Sequence, residues 1–282
     1  MKSIKWLSFV LIALVLLGCS FTVNVPTLTT GNTNEFKINE PFPAGVDEAD
    51  VTIEMGGGRL NIIGGSSTFI EGSVLYNVDE WKPTTSISGD SIILSQSQTK
   101  NVGIPSGDIK NNWDLQFGKD PFSLNISAGA YEGTLDLSGL ALTNLKISDG
   151  ASKAEVRFDS KNPVEMQRLT YKTGASNVDL LGLANANTSE ITFESGAGAY
   201  TLDFSGDLSR DLTTNISSGL SQVKIVVPQS ANVVVNITGG LSNVDLHGTW
   251  TTNGTEYTTG GTGPTITVNI NMAVGNLVLD RE

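Results

Sequence analysis

His247 stands two residues after Asp245 in a segment where apolar and polar residues alternate. That alternation has the period of a strand, so both side chains point to one outward face. A His–Asp pair can orient a serine nucleophile for acyl transfer. The chain has no G-x-S-x-G elbow to present such a serine, so His247 is read as a surface residue. Carboxylates recur on outward positions at Asp136, Glu155, Asp179, Asp203 and Asp245. Glu155 and Asp179 hold the same place in neighbouring repeats, which predicts a separation of about 5 Å across two strands. Like charges that close repel unless a cation or a base offsets them. Calcium is the cation such a pair would take. The alternative is a solvated face balanced by Arg157 and by the Lys172/Glu194 and Lys224/Asp245 neighbours. The string GGLSNVDLH falls short of the calcium-binding nonapeptide, because Ser242 replaces its third Gly and Val244 its Asp. The glycine runs Gly56-Gly57-Gly58 and Gly239-Gly240 precede no helix and so form no phosphate loop. Trp81, Trp113 and Trp250 could stack on sugars; capping the core is the preferred reading.

Cys19 is the sole cysteine, and its position is informative. Lys2 and Lys5 precede a 12-residue apolar run, Trp6 to Leu17, too short to span a bilayer and of the length of a signal-peptide core. The string Leu16-Leu17-Gly18-Cys19 resembles a bacterial lipobox. That resemblance implies removal of residues 1–18 as a signal peptide and lipidation of Cys19, which anchors the protein to the outer face of the cell membrane. Several acyl chains on one residue bind a bilayer far better than one. Residues 19–44 read as a polar tether, rich in Thr and Asn at its start.

The composition excludes several classes. Of 282 residues, 29 are Asp or Glu and 17 are Lys or Arg, for a formal charge of −12; loss of Lys2 and Lys5 takes it to −14. Nothing here neutralises phosphates, so a nucleic-acid partner is excluded as the default. One Cys and one His exclude an internal disulfide framework and leave no basis for a zinc or haem site. No cofactor is expected.

The elements that must position these residues are read from a repeat. Six glycines, Gly129, Gly150, Gly174, Gly196, Gly219 and Gly240, recur at steps of 21, 24, 22, 23 and 21. Three residues before each stands Ile126, Ile147, Tyr171, Phe193, Ile216 or Ile237. Six after each stands Leu135, Val156, Leu180, Leu202, Ile225 or Leu246. The template also fits Gly56 and Ala273. Each unit reads as strand, tight corner, strand, with the corner made of Gly, Ala and Ser. A unit of that size cannot bury its apolar face alone, so successive units should stack edge to edge. The fold class is therefore all-β, a β-solenoid-like stack of two-strand repeats; a large antiparallel β-sandwich is the alternative. A single domain over 45–282 is predicted. It has an irregular N-terminal part at 57–122 and a hairpin insertion near 249–265, where Asn253-Gly254 signals the turn.

The strings VTIEMGGGRLNIIGG, YNVDEWKP and NNWDLQF, with the repeated (S/T)GA units, resemble the bacterial toast-rack family. They are also similar to the extracytoplasmic C-terminal domain of LiaF-type envelope-stress proteins and to adhesin-like β-repeat families. The resemblance implies a β-repeat fold in a cell-envelope setting and brings no catalytic residues with it. The function expected is a non-enzymatic envelope lipoprotein, a scaffold or adhesin-like binder. Envelope-stress sensing and a polysaccharide-active β-solenoid enzyme are the alternatives. The partners expected are the membrane, through the lipid, and a cationic peptide or basic envelope protein drawn by the negative charge.

Overall fold

The computed structural model describes residues 27–96, 104–240 and 242–282. Its first strands are β1 (Thr27–Thr29), β2 (Asn34–Glu40), β3 (Ala49–Gly64), β4 (Ile70–Tyr76), β5 (Pro83–Ser88), β6 (Ser91–Gln96), β7 (Ile104–Ser106) and β8 (Asn111–Phe117). There follow β9 (Phe122–Asp136), β10 (Leu142–Arg157), β11 (Leu169–Leu181), β12 (Glu190–Asp203) and β13 (Leu212–Val227). The last are β14 (Asn232–Gly239), β15 (Asn243–His247), β16 (Thr251–Asn253), β17 (Glu256–Thr258) and β18 (Thr265–Arg281). Two 3-10 turns, Asp79–Trp81 and Leu183–Ala186, are the helical elements among the described residues, and neither could cross a membrane.

The repeat stacks in parallel and in register, not as an antiparallel sandwich. Ile126 pairs with Ile147, then Tyr171, Phe193, Ile216 and Ile270. Leu135, Val156, Leu180, Leu202, Ile225 and Leu279 form the second ladder. Both ladders belong to one core and are at most 2 % exposed. Burying each such side chain contributes roughly 1.5–3 kcal/mol, so the repeat supplies its own stability once stacked.

Each unit is one bent strand rather than two strands and a turn. In β9 the buried residues run Phe122, Leu124, Ile126 and then Tyr131, Gly133, Leu135. The phase of burial shifts across the corner, so the strand presents opposite faces before and after it, and both arms close on the same core. The pairing continues through the corner because small residues line up there. A Cβ on Gly174 would lie 2.4 Å from the Gly150 carbonyl oxygen, and one on Gly196 2.5 Å from that of Gly174. Parallel strands ordinarily need a crossover of about a dozen residues or more. Here residues 137–141 suffice between β9 and β10, because the bent strand brings its end back near the next start.

Three expectations need correction. The order of the stack is not the order of the chain: β18 lies between β13 and β14, and β15 pairs with the second arm of β18. The tether read over 19–44 overlaps β1 and β2, and β2 is part of the main sheet through β4. Strand pairing is available to Asn34–Glu40 because its alternation buries Ile38. The 251–258 hairpin forms and pairs with β14, yet its loop is Gly254-Thr255, one residue later than predicted; Gly254 takes the positive φ of 63° that the tight loop requires. Cys19 and residues 1–18 lie outside the described residues.

Candidate functional site

The residues first suspected of chemistry are spread apart. His247 and Asp245 are exposed on the short β15, and the carboxylate nearest His247 is that of Asp280, 3.8 Å from Nδ1. Glu155 and Asp179 are register partners, as the repeat predicts. Arg157 sits among carboxylates, 3.7 Å from Glu155, 3.4 Å from Asp136 and 3.4 Å from Asp159. Among the described residues no group of three or more His, Cys, Asp or Glu gathers to hold a metal. Lys172 pairs with Glu194 at 2.9 Å, as expected. Lys224 does not meet Asp245; it pairs with Asp280 at 2.8 Å and with Glu282 at 3.6 Å, because β18 lies between the two. The Lys224 ammonium holds the Asp280 carboxyl below the ordinary carboxylate range, against the opposing effect of desolvation.

A concave site forms where the stack ends. The first arm of β3 pairs with β6 and its second arm with β8, so no single strand follows β3 around its corner. Two buried amides bridge the gap. The Gly56 N–H donates to Gln96 Oε1 at 3.0 Å, and Asn111 Nδ2 donates to the Gly57 carbonyl. Asn111 Nδ2 also donates to Gln96 Oε1 at 2.8 Å, and Trp113 Nε1 donates to Asn111 Oδ1 at 2.9 Å. Trp113 is thereby buried at 1 % exposure, a capping residue. A third buried amide, Asn77, receives the Lys110 N–H at 2.8 Å and donates to the Asp108 carbonyl at 2.7 Å. It fixes the segment that leads into β8.

Beside this corner lies a groove of about 620 Å³. Its floor is Gly57 and Ala130, which are register partners. Arg59 and Glu132 line it as an ion pair of 3.1 Å. Half-buried Trp81 and exposed Lys110 line it too. Its described lining contains no Ser, Thr, Cys or His, so no familiar nucleophile–base pair is assembled. What it offers is an aromatic face, two cations, carboxylates and amides.

The family model described as the N-terminal domain of toast_rack, DUF2154, matches residues 27–168. That is half of the chain. It spans the capped end, the groove and the first regular strands. The chain belongs to the toast-rack family. Among solved structures, a candidate cell adhesion protein from Clostridium sporogenes ATCC 15579 is similar at 20 % identity and a TM-score of 0.51. The match covers 89 % of this chain and 100 % of that one, and supports the same fold. A candidate adhesin from Bacteroides fragilis NCTC 9343 matches more loosely, at 11 % identity and a TM-score of 0.38, over 89 % of this chain and 99 % of that one. No curated protein matches.

The marks that resemble the toast-rack family acquire physical roles here. The Asn77 of YNVDEWKP and the Asn111 of NNWDLQF are the two buried clasps, and Trp81 supplies the aromatic face. Sequence reasoning missed a further feature of this toast-rack chain, a polar seam inside the corner. Asp149 accepts from Tyr171 at 2.9 Å, from Ser176 at 3.3 Å and from Thr173. Tyr131 meets Tyr171 at 3.3 Å, and Ser218 bridges Ser195 at 2.7 Å and Ser221 at 2.6 Å. Burial drives both the Tyr131 and Tyr171 hydroxyls well above the ordinary tyrosine range, so they stay protonated donors. The signal was present in the register. Asp149, Thr173, Ser195 and Ser218 share one row, and Ser152, Ser176 and Ser221 another.

Proposed function

We propose that the protein is a non-enzymatic, lipid-anchored cell-envelope binding protein of adhesin-like type. The groove at the end of the stack carries this reading. It collects recognition chemistry with no Ser, Thr, Cys or His in its described lining, on walls fixed by buried amides before any ligand arrives. The lipobox-like string before Cys19 supports a surface location outside the cell membrane. The name of the Clostridium sporogenes structure, a candidate cell adhesion protein, is in keeping with it.

Two measurements test the reading. Wild-type protein should fractionate with membranes, and Cys19→Ser should be released or remain unprocessed; mature Cys19→Ser that stays membrane-bound to the same degree overturns the anchor. The full chain in detergent micelles, immobilised on beads, should retain bacterial envelope fragments saturably. No saturable retention at low or physiological salt overturns the binding role. The excess of 29 acidic over 17 basic residues adds a cationic partner to this reading. Its binding should weaken steeply between low salt and about 0.15 M, where the Debye length is about 8 Å.

A further inference from the structure

We infer that the groove beside Trp81 binds a neutral oligosaccharide. This rests on the surface-binding reading above and names its ligand. The charges that line the groove cancel: Arg59 and Lys110 stand against Asp108 and Glu132, and Arg59 is committed to Glu132 at 3.1 Å. In a chain of formal charge −12, this is a locally balanced site. It favours neither a polyanion nor the cationic peptide that the rest of the surface would attract.

What remains is chemistry suited to a sugar. A pyranose ring has an apolar C–H face and a rim of hydroxyls, each both donor and acceptor. Trp81 supplies a flat apolar π face with a polar edge, and its indole N–H donates to nothing among the described residues. Ile109, 42 % exposed, adds a second apolar contact. The carboxylates, the Asn112 amide and the two cations offer acceptors and donors around the rim. The floor is shaped for a flat ring. Gly57 carries no side chain and Ala130 only a methyl, and a Cβ on Gly57 would lie 2.8 Å from the Ala130 carbonyl oxygen. The volume of about 620 Å³ falls among small-molecule sites, which run from roughly 300 to 1,000 Å³. The Asn77 and Asn111 clasps set the walls in advance, so little ordering is needed on binding.

The experiment is a titration of the full chain in micelles, followed by tryptophan fluorescence and calorimetry. The probes are chito-, malto- and cello-oligosaccharides of two to four sugars, with a sulfated oligosaccharide and a lysine-rich peptide for comparison. At least one neutral oligosaccharide should bind saturably and be recovered intact. Trp81→Ala should weaken it about tenfold or more, and Trp81→Phe less. Ala130→Phe, on the exposed floor, should block it, while thermal melts of all three variants stay near wild type. The inference is overturned if no neutral oligosaccharide binds, if Trp81→Ala and Ala130→Phe leave binding unchanged, or if only a charged comparator binds. Retention of envelope fragments without oligosaccharide binding overturns the sugar inference alone. Failure of both overturns the surface-binding reading as well. Cleavage of the oligosaccharide overturns the non-enzymatic reading.

Discussion

The corner of β3 and the corners of β10 to β13 follow one sequence template and are satisfied in different ways. Inside the stack each corner leans on the next: a Cβ on Gly174, Gly196 or Gly219 would collide with the carbonyl of the preceding glycine at 2.4–2.6 Å. The neighbour is backbone, so the requirement is only that the residue at that one template position be small; the next position carries exposed Leu220 in β13 and Val274 in β18. At the end of the stack the neighbouring strand is missing at the corner. Gln96 and Asn111 reach in to take the hydrogen bonds that a strand would have taken. A repeat can solve its hydrogen bonding with geometry alone. A terminus, having one side open, needs particular side chains, and the space they leave uncovered becomes a groove. The strings YNVDEWKP and NNWDLQF accordingly sit at the terminus, while the stack repeats one apolar pattern around its glycines.

Several substitutions break or sharpen this comparison. Leu202 is fully buried in the regular ladder. Leu202→Asp places an unpaired charge there and should cost about 4 kcal/mol or more, abolishing a cooperative thermal transition. Thr201→Asp, half-buried one residue earlier, should change stability by under about 0.5 kcal/mol. Equal effects would mean that the inward register is wrong.

Asn111→Ala tests the terminus. It leaves the Trp113 N–H without a partner in a buried place and the Gly57 carbonyl without one in a half-buried place. A loss of about 2–4 kcal/mol is expected in denaturant unfolding, since each buried unsatisfied group costs about 1–3 kcal/mol. Asn112→Ala, next door and half-buried, should cost little. A tolerated Asn111→Ala would show that the clasp is dispensable.

A third pair compares one template position in the two settings. Gly174→Ala drives a methyl into backbone and should cost about 1–3 kcal/mol. Gly56→Ala meets only the Gln96 side chain, at 3.4 Å, and should cost under about 1 kcal/mol. If the two cost the same, the end corner is packed like the others.

The smallest effect lies at the other end of the stack. Pairing with Lys224 lowers the Asp280 carboxyl below its unfolded value, which is about 3.9. The folded state thus binds fewer protons there. The stability this contributes is present above about pH 4 and is lost as pH falls through the lower folded value. Lys224 is raised by the same contact, so its contribution is present below its unfolded value of about 10.4 and is lost as pH rises through the higher folded one. Lys224→Met should therefore lower the melting temperature modestly near pH 7, with the difference from wild type shrinking in acid below pH 4. A difference that does not change with pH would assign the loss to packing.

The repeat was legible because it is redundant. Eight copies of one apolar pattern state which residues face inward and which stand side by side, and the pairing of Leu202 with Ile225 follows without any coordinate. The same redundancy hid the order of the strands. Ile237 and Ile270 satisfy the template equally, so nothing local says which unit lies next to β13. Tertiary structure decided it. The continuous 17-residue β18 can pair along its whole length on both sides, whereas β14 and β15 are interrupted at the corner and suit an edge. Lys224 consequently met Asp280 instead of Asp245. The clasps and the groove were decided in the same way. Asn77, Gln96 and Asn111 are ordinary polar residues in the sequence, and only the absence of a neighbouring strand at one corner makes them the groups that close it. Periodic burial is a local property of the chain, and so the sequence by itself determined the ladders. Where a unique end must satisfy its own backbone depends on which strands fail to arrive there, and only the assembled fold holds that information.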